Sequence, residues 1–394
     1  MTFRQFFKQK QPVTPLPYVY YVIPVVVIAL VGLFDSLYLA ISHYRNYVDI
    51  GYQSFCAISQ AFNCDTVSQS PYSIMLGVPL AVWGILGYGL FLFLLGFVWH
   101  ASAEKKRMWT LLMALALGFS LYSVYLAYIS AYRINSHCIM CILSYAVSLA
   151  LLFYTWIIRN RFGAETIIKA IKKDILFLFS FPKTSFSITT VFAGAAIVMM
   201  LAFPSYWHMN PPELSYDVPT GTTQTGHPWI GAEEPELTII EFSDYRCFQC
   251  KKMHYFLRHL VETNPSKIRL VHRHFPMDHI INPIVREPFH QGSARLSILA
   301  LLAVGKKKFW EMNDLLYALP RGNLTISFQD VAEQTGIDID EIRYALQDVR
   351  LWETLQKDIF DGLKYELTGT PGFVINDVMY TAQIPPEILK PYMN

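Results

Sequence analysis

The stretch Asn135–Tyr154, NSHCIMCILSYAVSLALLFY, sets a Cys-x-x-Cys pair, Cys138 and Cys141, at the mouth of a long apolar run. Reactive thiols work in water or in a pocket, whereas an uninterrupted apolar run of about 20 residues is what a helix needs to cross a bilayer. The two requirements meet where a helix leaves the lipid. Which side it leaves on, and what the thiols meet there, must come from the rest of the chain.

Apolar segments of membrane-crossing length fall at residues 17–43, 73–99, 109–131, 138–158 and 186–206, in a chain that is 53% hydrophobic. Buried core helices are the alternative reading for one or two of them. Tyr18, Tyr20, Tyr21, Trp99, Trp109, Tyr206 and Trp207 lie where interfacial aromatic belts are expected. Arg4, Lys8 and Lys10 precede an apolar run longer than a signal h-region, and no small-x-small cleavage site follows, so the first segment is expected to stay as a span. Those three cations, Lys105–Arg107, and the group Arg159, Arg161, Lys169, Lys172, Lys173 and Lys183 share one side if the five spans alternate. The positive-inside rule makes that side cytoplasmic. The loops between spans one and two and between three and four, and everything after Trp207, then face outward. With 32 basic against 30 acidic residues there is no basic stripe to suggest nucleic acid.

The six cysteines come as three close pairs, Cys56 and Cys64, Cys138 and Cys141, Cys247 and Cys250, which reads as redox couples or metal half-sites. All fall in outward segments, hence in one oxidising compartment, in a bacterium the periplasm. A structural staple is the alternative reading for Cys56 and Cys64. Beyond the fifth span, NPPELSYDVPTGTTQTGHPWIG (residues 210–231) reads as an extended linker. Next, ELTIIEFSDYRCFQCKKMHYFLRHLVE (236–262) predicts a strand, a turn, the third cysteine pair and a helix with Met253, Phe256, Leu257 and Leu260 on one face. KIRLVHRHFP (267–276) predicts a second strand, residues 286–366 are mostly helical in pattern, and TGTPGFVIND (368–377) is a turn into a further strand. His272 and His274 read as strand-surface residues.

A cysteine at a helix start gains from converging backbone N–H groups, so Cys247 is expected to attack and leave while Cys250 resolves. His254 completes a C-x-x-C-x-x-x-H spacing that also fits a zinc half-site, although no fourth ligand stands out. Strand, Cys-x-x-Cys, helical insert and Thr-Pro before a strand resemble a thioredoxin fold of the DsbA-like kind; Thr370 and Pro371 match its cis-proline loop. Phe248-Gln249 between the cysteines departs from the Pro-His of strongly oxidising members, which removes one stabiliser of the Cys247 thiolate.

The four cysteines before residue 160, with SLYL, NCDTVSQSPYSIMLGVPLAVWGILGY and CIMCILSYA around them, resemble the vitamin K epoxide reductase family, bacterial members of which carry a fused thioredoxin-like domain. That resemblance implies a four-helix transmembrane bundle over residues 1–160, a fifth transmembrane helix and linker over 161–225, and an α/β thioredoxin-fold domain with a helical insertion over 226–394. It implies a relay from Cys247–Cys250 to Cys56–Cys64 to Cys138–Cys141 and on to a quinone, ubiquinone or menaquinone, with Cys64 exchanging with Cys138 and Cys141 next to the ring. Ser70 and Tyr145 match quinone-pocket positions. No metal is expected. The expected protein is a membrane thiol oxidase of a bacterial inner membrane, in contact with lipid, that acts on reduced exported proteins. The same cysteines also fit a relay running in reverse as a disulfide reductase or isomerase, or a membrane-anchored thioredoxin-like chaperone.

Overall fold

Long apolar runs become helices here, the first of them straight through Pro24 and Asp35. The computed structural model describes residues 17–393 apart from 53, 57–61, 100–106, 135, 163–165, 210–217 and 320–326. Arg4, Lys8, Lys10, Lys105, Lys106 and the first part of the expected linker lie outside the described residues. In chain order come α1 (Val19–Val48), the short α2 (Cys64–Ser68), a hairpin of β1 (Ile74–Met75) and β2 (Val78–Pro79), α3 (Leu80–Trp99), α4 (Trp109–Ile129) with a wider turn at Ser130–Ile134, α5 (Ile139–Phe162), α6 (Ile167–Phe179) and α7 (Pro182–Ala202). Among the described residues five helices, α1, α3, α4 with its added turn, α5 and α7, are long and apolar enough to cross a membrane.

The chain packs as two compact units, one built from the chain up to Ser42 with Tyr72–Pro204, the other from His43–Pro71 with Ser205 onward. In the first, Val22, Val25 and Ala29 of α1, Phe91, Leu95 and Val98 of α3, Leu112 and Ala116 of α4, and Val147, Leu151 and Ile158 of α5 form one buried cluster. The three- and four-residue spacings put each set on one helix face. No residue of α7 is fully buried, so the core is a four-helix one. The second span starts at residue 80 and not 73 because the chain turns at Leu76-Gly77 and pairs β1 with β2, while the Trp83 indole N–H donates to Met75 O at 2.9 Å. The helix α6 was not read from the sequence. Its buried Asp174 accepts the N–H groups of Met108 (2.8 Å), Thr110 (3.1 Å) and Leu111 (3.1 Å), serving as the cap that α4 lacks locally.

The second unit holds β3 (Thr220–Thr222), β4 (Pro228–Gly231), β5 (Leu237–Ser243), α8 (Phe248–Thr263), β6 (Ile268–His274), α9 (Ser293–Gly305), α10 (Phe309–Ala318), α11 (Phe328–Thr335), α12 (Ile339–Ala345), α13 (Val349–Lys364), β7 (Gly372–Ile375), β8 (Val378–Thr381) and α14 (Pro386–Leu389). The sheet order is β3-β4-β6-β5-β7-β8, with β5 and β6 parallel across the α8 crossover. Helices α9–α13 are the insertion between β6 and β7. Ile239, Leu257, Leu270 and Phe373 sit in one buried cluster and Phe242, Phe275, Ile359 and Val374 in another, as alternation along central strands requires.

Two further expectations are corrected. Residues 220–231 are not linker but the β3–β4 hairpin, tied to β6 at Gly231, where φ is 117° and a Cβ would fall 2.0 Å from Ile268 O. His272 and His274 are not on a surface; each is 1% exposed, because β6 lies between β4 and β5 with both faces covered.

Candidate active site

The turn after β5 presents the third cysteine pair. Cys247 is the N-cap of α8: its sulfur accepts the Cys250 N–H at 3.4 Å and its thiol donates to Thr370 O at 3.4 Å, across the cis Thr370–Pro371 bond. Cys247 is 9% exposed and Cys250 fully buried, so Cys247 is the sulfur on the open side. The hydrogen bond from Cys250 is the largest influence on Cys247; with the charge of His290 it outweighs burial and draws the thiol down to about 7. Burial, and then the Cys247 sulfur, push Cys250 well above the ordinary thiol value.

His290 is the residue that sequence reasoning missed. Its Nδ1 lies 2.9 Å from Oδ2 of the buried Asp244, which also accepts Met277 N–H at 2.6 Å and the Ser293 hydroxyl at 3.1 Å. The other Asp244 oxygen accepts Arg246 N–H at 2.6 Å inside the turn that carries Cys247. Burial alone would lower the imidazole, but the charge and hydrogen bond of Asp244 outweigh it and His290 titrates above its ordinary value. Burial would likewise raise Asp244, but the His290 charge and bond and the two backbone N–H groups hold it below the usual carboxylate range.

Cys56 and Cys64 form a disulfide with a Cα–Cα distance of 5.6 Å, and both are buried. Asn63 caps α2 through the N–H groups of Asp65 (3.0 Å) and Thr66 (3.1 Å). The buried Asp65 carboxylate then accepts Asn46 Nδ2–H and Ser54 N–H, each at 3.0 Å, folding the loop onto the end of α1. This loop belongs to the same compact unit as the sheet. Lys252, two residues after Cys250, donates to Asn46 O (3.1 Å) and Asp49 O (2.7 Å); Phe248 meets Tyr47 edge to face at 4.8 Å; and the Gln383 amide donates to Gly51 O. Burial draws the Lys252 ammonium down to about 8 against the charges of Asp49 and Asp65.

In the other unit Cys138 stands at the start of α5 as Cys247 does at α8. Its sulfur accepts Cys141 N–H at 3.1 Å, and its carbonyl accepts Ile142 N–H at 3.0 Å. Cys138 is buried and Cys141 half-buried, both as free thiols, and half-buried Tyr145 follows one turn on. Ser70 sits in the loop unit, its hydroxyl donating to Val67 O at 2.8 Å in the turn after α2. His254, the third residue of the zinc-like spacing, has its Nε2 2.6 Å from Asp314 Oδ1, and among the described residues no three His, Cys, Asp or Glu side chains are grouped to hold a metal.

Residues 23–156 match the family model described as the Vitamin K epoxide reductase family, and residues 223–394 match the one described as Thioredoxin. Each matched region carries one of the helix-capping cysteine pairs, Cys138 and Cys141 in the first and Cys247 and Cys250 in the second. The chain thus joins a segment that matches the vitamin K epoxide reductase family model to a C-terminal one that matches the thioredoxin model. It is similar to the Na(+)/H(+) antiporter NhaA 1 of Salinispora arenicola at 30% identity over 146 residues, 37% of this chain and 21% of that one. The matches thus span about a fifth of the length of the curated relatives. Among solved structures it is similar to a thioredoxin-like oxidoreductase from Silicibacter pomeroyi (22% identity, TM-score 0.35, 42% of this chain and 90% of that one). It is also similar to the thiol-disulfide exchange protein alpha-DsbA2 from Wolbachia pipientis (19% identity, TM-score 0.33, 42% and 84%).

Proposed function

We propose that the chain is a membrane thiol oxidase that makes disulfides in exported proteins and delivers the electrons to a quinone. One observation carries the reading: the Cys56–Cys64 disulfide and the Cys247/Cys250 dithiol occupy one compact unit, with the loop pinned to the active-site helix by Lys252 and Phe248. A dithiol whose first sulfur titrates near 7 is a nucleophile ready for that disulfide at neutral pH.

The relay runs by thiolate attack through mixed disulfides. A client dithiol reduces Cys247–Cys250, Cys247 passes the pair of electrons to Cys56–Cys64, and Cys64 exchanges with Cys138 to leave Cys138 and Cys141 reduced. A lowered Cys247 pKa favours the reduced form and so makes its disulfide the more oxidising. A quinone, when bound, supplies a two-electron, two-proton acceptor at the membrane end. The residues present fit such a group: Tyr145, one turn after Cys141, brings a hydroxyl donor for a ring carbonyl, and the buried Asp35 Oδ1 of the same unit, without a hydrogen-bond partner among the described residues, is an acceptor for the hydroxyl of the reduced ring. Tyr145 and Ser70 are the residues assigned to hold it. In this reading residues 1–160 serve the quinone, the sheet domain from β3 onward faces the clients and the stretch before β3 connects them, with the thioredoxin-like domain on the periplasmic side of an inner membrane and ubiquinone or menaquinone as acceptor.

The test is purified full-length protein given a reduced, unfolded client and a short-chain quinone. Quinone consumed in a one-to-one ratio with client disulfides formed is the expected result. Client disulfides reduced at the expense of hydroquinone would reverse the direction, and exchange without any quinone turnover would remove the membrane step.

A further inference from the structure

Asp35 is the only Asp or Glu in the five spans. A carboxyl group among apolar helices is costly to keep and asks for a use. It is 4% exposed on α1; one oxygen accepts the Ser144 hydroxyl of α5, and the other is buried without a hydrogen-bond partner among the described residues. A purely structural tie between α1 and α5 needs only the first oxygen, which an amide would provide at lower cost.

The surroundings suggest what the second is for. Ser144, which holds the Asp35 carboxyl group, stands one turn beyond Cys141 on α5. From Ser144 a seam of hydroxyls enters the bundle: Ser148 donates to Ser144 O at 2.9 Å, Ser123 of α4 donates to Ser148 Oγ at 3.2 Å, and the Tyr88 hydroxyl of α3 lies 3.2 Å from the same Oγ. Gly32 admits the Tyr88 ring, since a Cβ there would fall 2.6 Å from it. All four core helices therefore contribute to one polar seam inside an otherwise apolar cluster, and it begins beside the redox pair.

We propose that Asp35, with Ser144, is the proton carrier of the membrane redox step. Closing the Cys138–Cys141 disulfide breaks two S–H bonds, forms one S–S bond and releases two electrons and two protons, all of which end on the acceptor. Asp35 takes the proton released on the bundle side onto its unpartnered oxygen, hands it on and returns to its starting state. This rests on the quinone-linked reading above.

The test begins with quinone-free, full-length protein. The infrared difference spectrum between reduced and oxidised cysteines should contain a carboxyl C=O band that is absent in Asp35→Asn. In turnover, Asp35→Asn should reduce quinone about 100-fold more slowly while Asp35→Glu stays within about tenfold of wild type, and exchange between Cys247–Cys250 and Cys56–Cys64 should be unchanged in both. Should Asp35→Asn fail to insert, Ser144→Ala carries the kinetic test with an expected loss of several-fold. Wild-type turnover in Asp35→Asn, or a spectrum without the carboxyl band, would overturn the proposal. A wild-type protein that never reduces quinone would remove the underlying reading and the proposal with it, and is seen before any variant is made.

Discussion

Cys138 and Cys247 do the same local work: each begins a helix and accepts the N–H of the cysteine three residues on, at 3.1 Å and 3.4 Å. Their surroundings differ in kind. Around Cys247 stand charges, His290 held by Asp244, and a carbonyl from the cis-proline loop. One turn beyond Cys141, Ser144 donates to the Asp35 carboxyl group and a seam of hydroxyls leads on into the bundle. In the proposed relay the helix end serves both pairs, and the tertiary setting assigns the partner. Fixed charge suits exchange with thiols that arrive from water, whereas a proton-bearing seam suits a step in which protons must follow electrons into a lipid-facing site.

Exchanging the two pairs' roles by mutation should break the comparison most sharply. Cys141→Ala should bring quinone reduction down to background while leaving exchange between Cys247–Cys250 and Cys56–Cys64 intact, as read by quinone absorbance and by thiol trapping. Cys250→Ala should do the reverse and accumulate mixed disulfides with clients on Cys247. Full quinone turnover in Cys141→Ala would mean that the membrane pair is only structural.

The electrostatic half of the comparison rests on His290. Cys247 titrates near 7, so its thiolate fraction falls as the pH drops below 7. His290→Gln removes a charge that favours the thiolate, so the midpoint should move upward. A rise of about one unit would cut alkylation of Cys247 at pH 6 about tenfold and leave it unchanged above pH 9. His290→Lys should restore part of the loss, and Cys141 should not respond to either. An unmoved alkylation profile would leave His290 a structural partner of Asp244.

Smaller effects should come from the contacts that hold the loop. Lys252→Met leaves Asn46 O and Asp49 O without their buried donor, at a cost of about 1–3 kcal/mol, and should speed hydrogen exchange around residues 46–52. It should also slow exchange between Cys247 and the Cys56–Cys64 disulfide, with no effect on the Cys247 midpoint. Smaller still, Ser70→Ala removes one hydroxyl bond to Val67 O, about 1 kcal/mol of local stability by thermal unfolding. A larger loss confined to quinone affinity would favour the pocket role for Ser70.

Much of this was written locally in the chain. Runs of apolar residues specify helices wherever they occur, three-residue cysteine spacing on a helix start makes a reactive pair anywhere, and strand alternation marks β5 and β6 without reference to neighbours. Asp35 stands in the sequence as a lone acid in an apolar run, although it was not picked out there. What it faces is not legible there: Ser144 is 109 residues away, just as His290 is 46 residues from Asp244 and Lys252 is 206 from Asn46. Nor could local pattern show that 220–231 joins the sheet or that His272 and His274 are buried, because a Gly- and Thr-rich stretch becomes a strand only when β6 offers its edge. Hydrophobic period and residue spacing act within a few turns of chain. Desolvation, ion pairing and sheet edges are set by what folding brings alongside, and the environment of each thiol was therefore decided only by the tertiary structure.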